Sequence, residues 1–146
     1  MNMEQTNSKK RKIGTVIGLA IGAIVIVLIQ QLFFKAPSFD KVMMKAASEL
    51  NKTCPIMVDK ETRLYNAVSL PDQIFQYNYT LVNMVKDSMN IPDLQNYLEP
   101  VILNNVKTNP DLKVYRDHKI TMAYYYKDKN GVFVLKIAIT PDKYGQ

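Results

Sequence analysis

The stretch ITMAYYYKDKNGVFVLKIAI, Ile120–Ile139, carries the clearest structural pattern in the chain. On each side of Asn130-Gly131, large apolar or aromatic residues mostly alternate with polar or small ones. This alternation is typical of strands that bury one face. Asn-Gly is the pair that a two-residue type I′ turn prefers, because both of its central residues need positive φ. The stretch therefore predicts a β-hairpin packed against a core.

A second hairpin is predicted upstream, from Thr62–Leu70 and Ile74–Val82, which Pro71-Asp72-Gln73 joins. Three aromatic residues and a leucine share one face of the second run, and polar side chains share the other. A short connection that contains Pro and Asp is typical of a turn. A helix is predicted before each hairpin, over Phe39 to about Lys52 and over Asn90–Lys107, because apolar residues recur there at helical spacing.

The predicted element order is helix, hairpin, helix, hairpin. The simplest arrangement that buries every apolar face is a two-layer α+β domain, in which both helices cover one face of a four-stranded antiparallel sheet. The other face of the sheet would present polar side chains to solvent or to a partner.

A membrane anchor is predicted N-terminal to this domain. Residues 13–34 are 22 residues without a charged side chain. As a helix they would span roughly 33 Å, enough to cross a hydrocarbon core of about 30 Å. Four consecutive cations occupy positions 9–12, and no small-x-small cleavage site follows the apolar run. The positive-inside rule then predicts an uncleaved, single-pass signal anchor in the cytoplasmic (inner) membrane of a bacterium.

This topology divides the chain into three parts. Residues 1–12 form a basic cytoplasmic leader, residues 13–34 a transmembrane helix in the lipid bilayer, and residues 35–146 an extracytoplasmic α+β domain, periplasmic or extracellular. Gly14, Gly18 and Gly22 lie four residues apart in the anchor. Such spacing lets two membrane helices pack closely, which would support a homo-oligomer or a membrane-protein partner, although glycine is common in membrane helices in any case.

The net charge of +6 does not predict nucleic-acid binding. The leader accounts for half of it, and the remaining charges are 15 cations and 12 anions, which is an ordinary mixed surface. One cysteine and one histidine exclude a disulfide within the chain and a Cys/His zinc site. Because the chain also lacks phosphate-loop, dinucleotide and zinc-protease motifs, we expect no cofactor and no metal.

Catalysis needs a convergent set of side chains, and Cys54 and His118 are the sole nucleophile–base candidates in the sequence. A lone cysteine beside proline and apolar residues is more often a small buried hydrophobe. We therefore assign no catalytic residues and expect no enzyme, with a small Cys/His enzyme as a remote alternative.

The leading hypothesis is an interaction module that binds a protein partner or self-associates. Its candidate partner-binding residues are Gln76, Asn78, Tyr125 and Lys136, which are predicted on the outward face of the sheet. The alternative for Tyr125 is that tyrosine simply suits a half-buried strand. A second hypothesis is that a basic face binds an anionic envelope polymer or lipid headgroups, through Lys113, Arg116, Lys119 and Lys136.

Several short runs also resemble a set of small bacterial envelope proteins of unknown function, which carry one N-terminal membrane anchor and an exported α+β domain. The resemblance implies a bacterial membrane or exported protein and brings no activity with it. The runs that carry it are Asn51-Lys52 with Pro55, Met57-Val58-Asp59, Thr62-Arg63-Leu64, Phe75–Asn83, Thr108–Asp111 and Ile139-Thr140-Pro141.

Overall fold

A computed structural model describes residues 38–145 of the chain. The predicted leader, the predicted membrane helix and the three anchor glycines lie outside these residues. Within them, no helix is both long enough and apolar enough to cross a bilayer. The elements in chain order are α1 (Phe39–Asn51), β1 (Ile56–Met57), β2 (Thr62–Leu70), β3 (Ile74–Leu81), α2 (Ile91–Thr108), α3 (Lys113–Asp117), β4 (Thr121–Lys127), β5 (Phe133–Ile139) and α4 (Pro141–Tyr144).

The strands form one mixed sheet in the order β1-β2-β3-β4-β5. Every neighbouring pair is antiparallel except β3 and β4, which are parallel. The predicted four-stranded antiparallel sheet is therefore wrong in two respects. A short edge strand, β1, adds a fifth member, and the two hairpins join through a parallel pair.

The parallel pair follows from the connection between the hairpins. Antiparallel neighbours can be joined by a tight turn, whereas parallel neighbours need a long crossover that returns the chain to the starting end of the sheet. The segment between β3 and β4 contains α2 and α3 and makes this return. As a result β4 begins beside the start of β3, with Ile74 opposite Thr121. The predicted order, in which a helix lies between the two hairpins, is consistent with this β-α-β unit.

The core lies on one face of the sheet. Buried side chains of β2 to β5 form a single cluster with buried residues of α1 and α2. α1 packs against β2, and α2 packs against β5. The largest fully buried side chains include Phe75 of β3, Met122 of β4 and Tyr115 of α3. The protein is thus a two-layer α+β structure, with helices over one face of a five-stranded sheet.

The strand tyrosines are divided between the two faces. Tyr77 lies opposite Tyr124, and Tyr79 lies opposite Tyr126, across the central parallel pair. Their rings stack with centroids 5.4 Å and 5.2 Å apart. Burial raises the pKa of Tyr77 and of Tyr124 far above the ordinary value for tyrosine. Tyr77, Tyr124 and Tyr126 therefore belong to the core, Tyr79 packs against it partly buried, and the side chain of Tyr125 projects from the other face.

The predicted connection at residues 71–73 joins β2 and β3 as a hairpin, whereas the second turn differs from the predicted one. Asp72 and Gln73, between β2 and β3, both have positive φ, at 62° and 57°. That is the backbone pattern of a type I′ turn, although neither residue is glycine. Between β4 and β5, Gly131 has a φ of 81°, and its N–H donates to the carbonyl of Asp128 at 3.0 Å. The type I′ turn predicted at Asn130-Gly131 is wrong, since Gly131 is the fourth residue of a turn that begins at Asp128 and Asn130 does not have positive φ.

Asn51, the last residue of α1, joins the helix layer to the outer edge of β2. β1 pairs only with Leu64 and Arg63 of β2, so the next part of that edge needs another partner. The Asn51 side chain donates to the carbonyl of Ala67 at 2.8 Å and accepts from its N–H at 2.7 Å. A carboxamide carries the same donor and acceptor as a backbone peptide, so Asn51 takes the place of a neighbouring strand.

Replacement of Asn51 by alanine should destabilise the protein by about 1–3 kcal/mol, because a buried backbone N–H and C=O both lose their partner. Urea unfolding of the purified chain, followed by circular dichroism, measures this change. The matched control is Asn83→Ala, which removes an exposed bond to Glu61 and should change stability by less than about 0.5 kcal/mol. Equal midpoints for the two variants would show that Asn51 does not support the edge.

Candidate functional site

The face of the sheet away from the helices contains the candidate site, and we call it the open face. A concavity of about 670 Å³ lies on it. Residues of β2, β3 and β4 and the β4–β5 loop line this concavity. They are Arg63, Tyr65, Asn66, Gln76, Asn78, Tyr79, Thr80, Tyr125, Lys127, Asp128, Lys129, Asn130 and Gly131.

A ladder of three carboxamides crosses the concavity. Gln76 and Asn78 lie two residues apart on β3 and share a face, and Asn66 lies opposite Asn78 on β2. The Gln76 amide donates to the Asn78 side-chain oxygen at 2.8 Å, and the Asn78 amide donates to the Asn66 oxygen at 2.7 Å. The ladder fixes the orientation of all three groups, and it leaves an amide donor at its Asn66 end and a carbonyl acceptor at its Gln76 end.

A β-bulge at Tyr65 brings Arg63 to this face. Leu64 pairs with Tyr79, but the next pair is Asn66 with Asn78, so Tyr65 has no partner across the strand pair. The extra residue reverses the alternation on β2. Leu64 can then enter the core while Arg63, opposite Thr80, joins the open face. The Arg63 Nε is buried and has no hydrogen-bond partner within residues 38–145.

An aromatic pair flanked by lysines lies beside the ladder. The rings of Tyr125 and Phe133 have centroids 5.0 Å apart, and 43% of Phe133 is exposed. The Lys127 ammonium lies 5.9 Å from the Tyr125 ring, and the Lys86 ammonium lies 5.9 Å from the Phe133 ring. Both cations are within the range of cation–π attraction. The pair is thus an exposed apolar surface with a positively charged border.

Asp128 closes the end of the concavity at the β4–β5 loop. Its carboxylate accepts the backbone N–H groups of Lys86 at 2.9 Å, Asn130 at 2.8 Å and Val132 at 2.9 Å. These bonds hold the loop and tie it to the segment that follows β3. The bond from Lys86, together with those from Val132 and Asn130, lowers the pKa of Asp128. The Asp128 carboxylate therefore serves as the acceptor for three backbone N–H groups.

The structure brings most of the predicted partner-binding residues together. Gln76 and Asn78 are in the ladder, and Tyr125 is in the aromatic pair. Lys136 of β5 lies directly opposite Tyr125 in the sheet, beyond the lining of the concavity.

Cys54 and His118 lie at opposite ends of α1. Cys54 follows the C-terminal end of the helix, whereas the His118 ring stacks on Phe39 at its N-terminal end, with centroids 3.9 Å apart. A helix of 13 residues is roughly 20 Å long. Burial raises the pKa of the Cys54 thiol, which disfavours the nucleophilic thiolate. Among residues 38–145, no group of three or more His, Cys, Asp or Glu side chains is placed to hold a metal ion.

The cations of the predicted basic face do not share one element or one role. Lys113 forms an ion pair with Asp117 on α3. Arg116 donates from Nη1 to the carbonyls of Val106 and Asn109, both at 2.7 Å, so it links α3 to the end of α2. Lys119 follows α3 in the turn toward β4, while Lys136 is on β5.

Sequence reasoning missed several residues of the open face, and one of them was within its reach. With Leu70 opposite Ile74 across the first turn, counting back along the hairpin places Asn66 opposite Asn78. The same count would place Leu64 opposite Thr80, and the bulge at Tyr65 puts Arg63 there instead. Nothing in the sequence marks that bulge. The contact between Phe133 and Tyr125 likewise depends on the second turn. The Asn-Gly pair predicted the wrong type for that turn.

Comparison with known families gives one match, to the family described as Domain of unknown function (DUF8479), over residues 38–135. The match covers more than half of the chain. The chain belongs to this family. The matched range includes α1, the first four strands and the first three residues of β5, and therefore the whole lining of the concavity. No protein with a curated description matches the chain.

Three solved structures share the fold. The chain superposes on a candidate secreted protein from Pseudomonas aeruginosa with a TM-score of 0.61, at 10% identity, over 74% of this chain and 98% of the other. It superposes on EpsS, a pilotin of the Vibrio vulnificus type II secretion system, with a TM-score of 0.56 at 10% identity, over 72% of this chain and 90% of the other. It superposes on AspS, the pilotin of the Vibrio cholerae type II secretion system, with a TM-score of 0.52 at 12% identity, over 71% of this chain and 90% of the other. At such identities the likeness concerns the fold alone.

Replacement of Asp128 by asparagine should lower the thermal unfolding midpoint at pH 7, because one amide cannot accept three backbone N–H groups. The folded-state pKa of Asp128 is depressed, so its stabilisation is complete above the unfolded pKa of about 3.9 and is lost as pH falls through the folded value. The midpoint difference from wild type should therefore shrink below about pH 4. Scanning calorimetry from pH 2.5 to 7 measures it.

The control for this measurement is Asp87→Asn, which changes an exposed carboxylate in the same part of the molecule. Its midpoint should follow that of wild type at every pH. A pH-independent difference between Asp128→Asn and wild type would show that ionisation of Asp128 does not hold the loop.

Proposed function

We propose that this protein is a non-enzymatic interaction module that binds a protein partner through the open face of its sheet. The observation that carries the proposal is the aromatic pair Tyr125–Phe133 beside the ordered carboxamide ladder. Interfaces are enriched in aromatic residues surrounded by hydrogen-bonding groups. The helix layer covers the other face of the sheet, and no helix within residues 38–145 covers the open face.

The fold supports an exported partner-binding role. A candidate secreted protein and two pilotins of type II secretion systems share it. The finer proposal is that a single membrane-spanning anchor at residues 13–34 holds the domain on the extracytoplasmic side of a bacterial cytoplasmic membrane. The charge distribution of residues 1–34 supports this topology. Association of anchors through Gly14, Gly18 and Gly22 stays a prediction.

The separation of Cys54 and His118 supports the non-enzymatic part of the proposal. A nucleophile and its base must lie within hydrogen-bond reach of each other, and α1 lies between these two side chains. The ladder consists of amides that neither donate nor accept a proton by ionisation near neutral pH. Such groups suit recognition of a peptide better than acid–base chemistry.

Photo-crosslinking in the native bacterium tests the proposal. A photoreactive phenylalanine analogue replaces Phe133 on the open face or, as the matched control, Tyr97 on α2. Tyr97 is 69% exposed and belongs to the helix layer. We expect one defined protein adduct from position 133, which Asn78→Ala and Tyr125→Ala weaken, and no adduct from position 97.

The result that contradicts the proposal is equally clear. Adducts at position 97 with none at position 133 would assign binding to the helix layer. An adduct between two copies of this chain at position 133 would make the open face a self-association surface, and the proposal of a different partner would then fail.

A further inference from the structure

The open face has a strong imbalance of charge in and around its concavity. Three cations are among the lining residues, Arg63, Lys127 and Lys129, and the sole acidic residue in that lining is Asp128. The Asp128 carboxylate is already bound to three backbone N–H groups. Lys86 and Lys136 extend the positive charge along the aromatic pair. The lining therefore presents three cations against one carboxylate, and that carboxylate is already bound to the backbone.

These cations form no ion pair within the described chain. Its ion pairs over residues 38–145 join Lys52 to Glu49, Lys113 to Asp117 and Lys143 to Glu99. None of these pairs includes a cation of the concavity. The Arg63 Nε, a buried donor without a partner in residues 38–145, is an unfavourable arrangement in the free protein. A carboxylate that reached the guanidinium would provide the acceptor that the fold does not.

We propose that the occupant of the concavity is an acidic peptide segment of the protein partner, bound by Arg63, Lys127 and Lys129. This inference rests on the proposed function and names the chemistry of the partner. Carboxylate side chains would pair with the cations, and an apolar side chain between them would pack on Tyr125 and Phe133. The free donor and acceptor ends of the ladder suit a peptide group of the segment.

Charge disfavours the occupants that this chain itself offers. The leader is basic, with four cations and one acidic residue among residues 1–12. Two copies that met through their open faces would bring like charges together, which is unfavourable when solvent is excluded. A concavity of about 670 Å³ is within the usual size of sites for small ligands, so it admits a few residues of an extended segment.

The test measures peptide binding to the full chain in detergent micelles by fluorescence anisotropy. The probe is a fluorescein-labelled peptide of sixteen residues that repeats Glu-Phe-Glu-Ala, and its neutral counterpart repeats Gln-Phe-Gln-Ala. We expect the glutamate peptide to bind about tenfold or more tightly than the glutamine peptide at low salt. Binding should weaken as ionic strength rises, because screening acts on partly exposed charges.

Two double variants of equal charge change locate the binding site. Arg63→Gln with Lys127→Gln should weaken binding of the glutamate peptide by about tenfold. Lys41→Gln with Lys45→Gln, on the exposed side of α1, should leave it unchanged. Lys129→Gln alters an exposed loop residue, so it should weaken binding and leave the fold intact. Circular dichroism verifies the fold of every variant.

The outcomes separate this inference from the proposed function. If position 133 crosslinks a partner but the two peptides bind equally, or both double variants behave alike, the acidic-segment inference is wrong and the proposed function stands. If the glutamate peptide binds at the open face but no adduct forms at position 133 in cells, the proposed function fails. Binding to phosphatidylglycerol vesicles in place of the glutamate peptide would assign the cations to lipid and overturn the inference.

Discussion

The parallel register between β3 and β4 is the constraint on which the rest of this structure depends. It places Tyr77 beside Tyr124 and Tyr79 beside Tyr126, so four aromatic rings stack in the core next to the helix layer. Because side chains alternate along a strand, the residues between these tyrosines have their side chains on the opposite face. The stacked core and the chemistry of the open face are therefore two consequences of one pairing.

The outer part of the sheet depends on two local adjustments in β2. The bulge at Tyr65 lets Leu64 and Ala67 both face the core, although they lie three positions apart, and it brings Arg63 and Asn66 to the open face. Asn51 then satisfies the backbone of Ala67 just beyond the two-residue strand β1. Together they shorten the unpaired edge on the β2 side of the sheet, and a shorter unpaired edge is less prone to pair with other chains.

Local sequence patterns predicted most of the helices and strands. They did not predict the features that depend on pairing between distant parts of the chain. Alternation along Ile74–Leu81 and Thr121–Lys127 correctly separated Gln76 and Asn78 from Phe75 and Tyr77, because that separation depends only on neighbours within a strand. The sheet topology was wrong, since the crossover was not recognised as a β-α-β unit. Arg63 was missed because a bulge is decided by which residues the core accepts. No local rule contains that information.

The fold by itself does not determine what the open face binds. Three solved structures share the architecture at 10% to 12% identity, so the chain keeps the packing of the layers while almost every side chain differs. Function on a shared fold is decided by the groups at a site. In this chain those groups are an amide ladder, an aromatic pair and cations that form no ion pair within residues 38–145. Asp128, the one acid in the lining, is held by the backbone, so the positive charge of the concavity stays available to a partner.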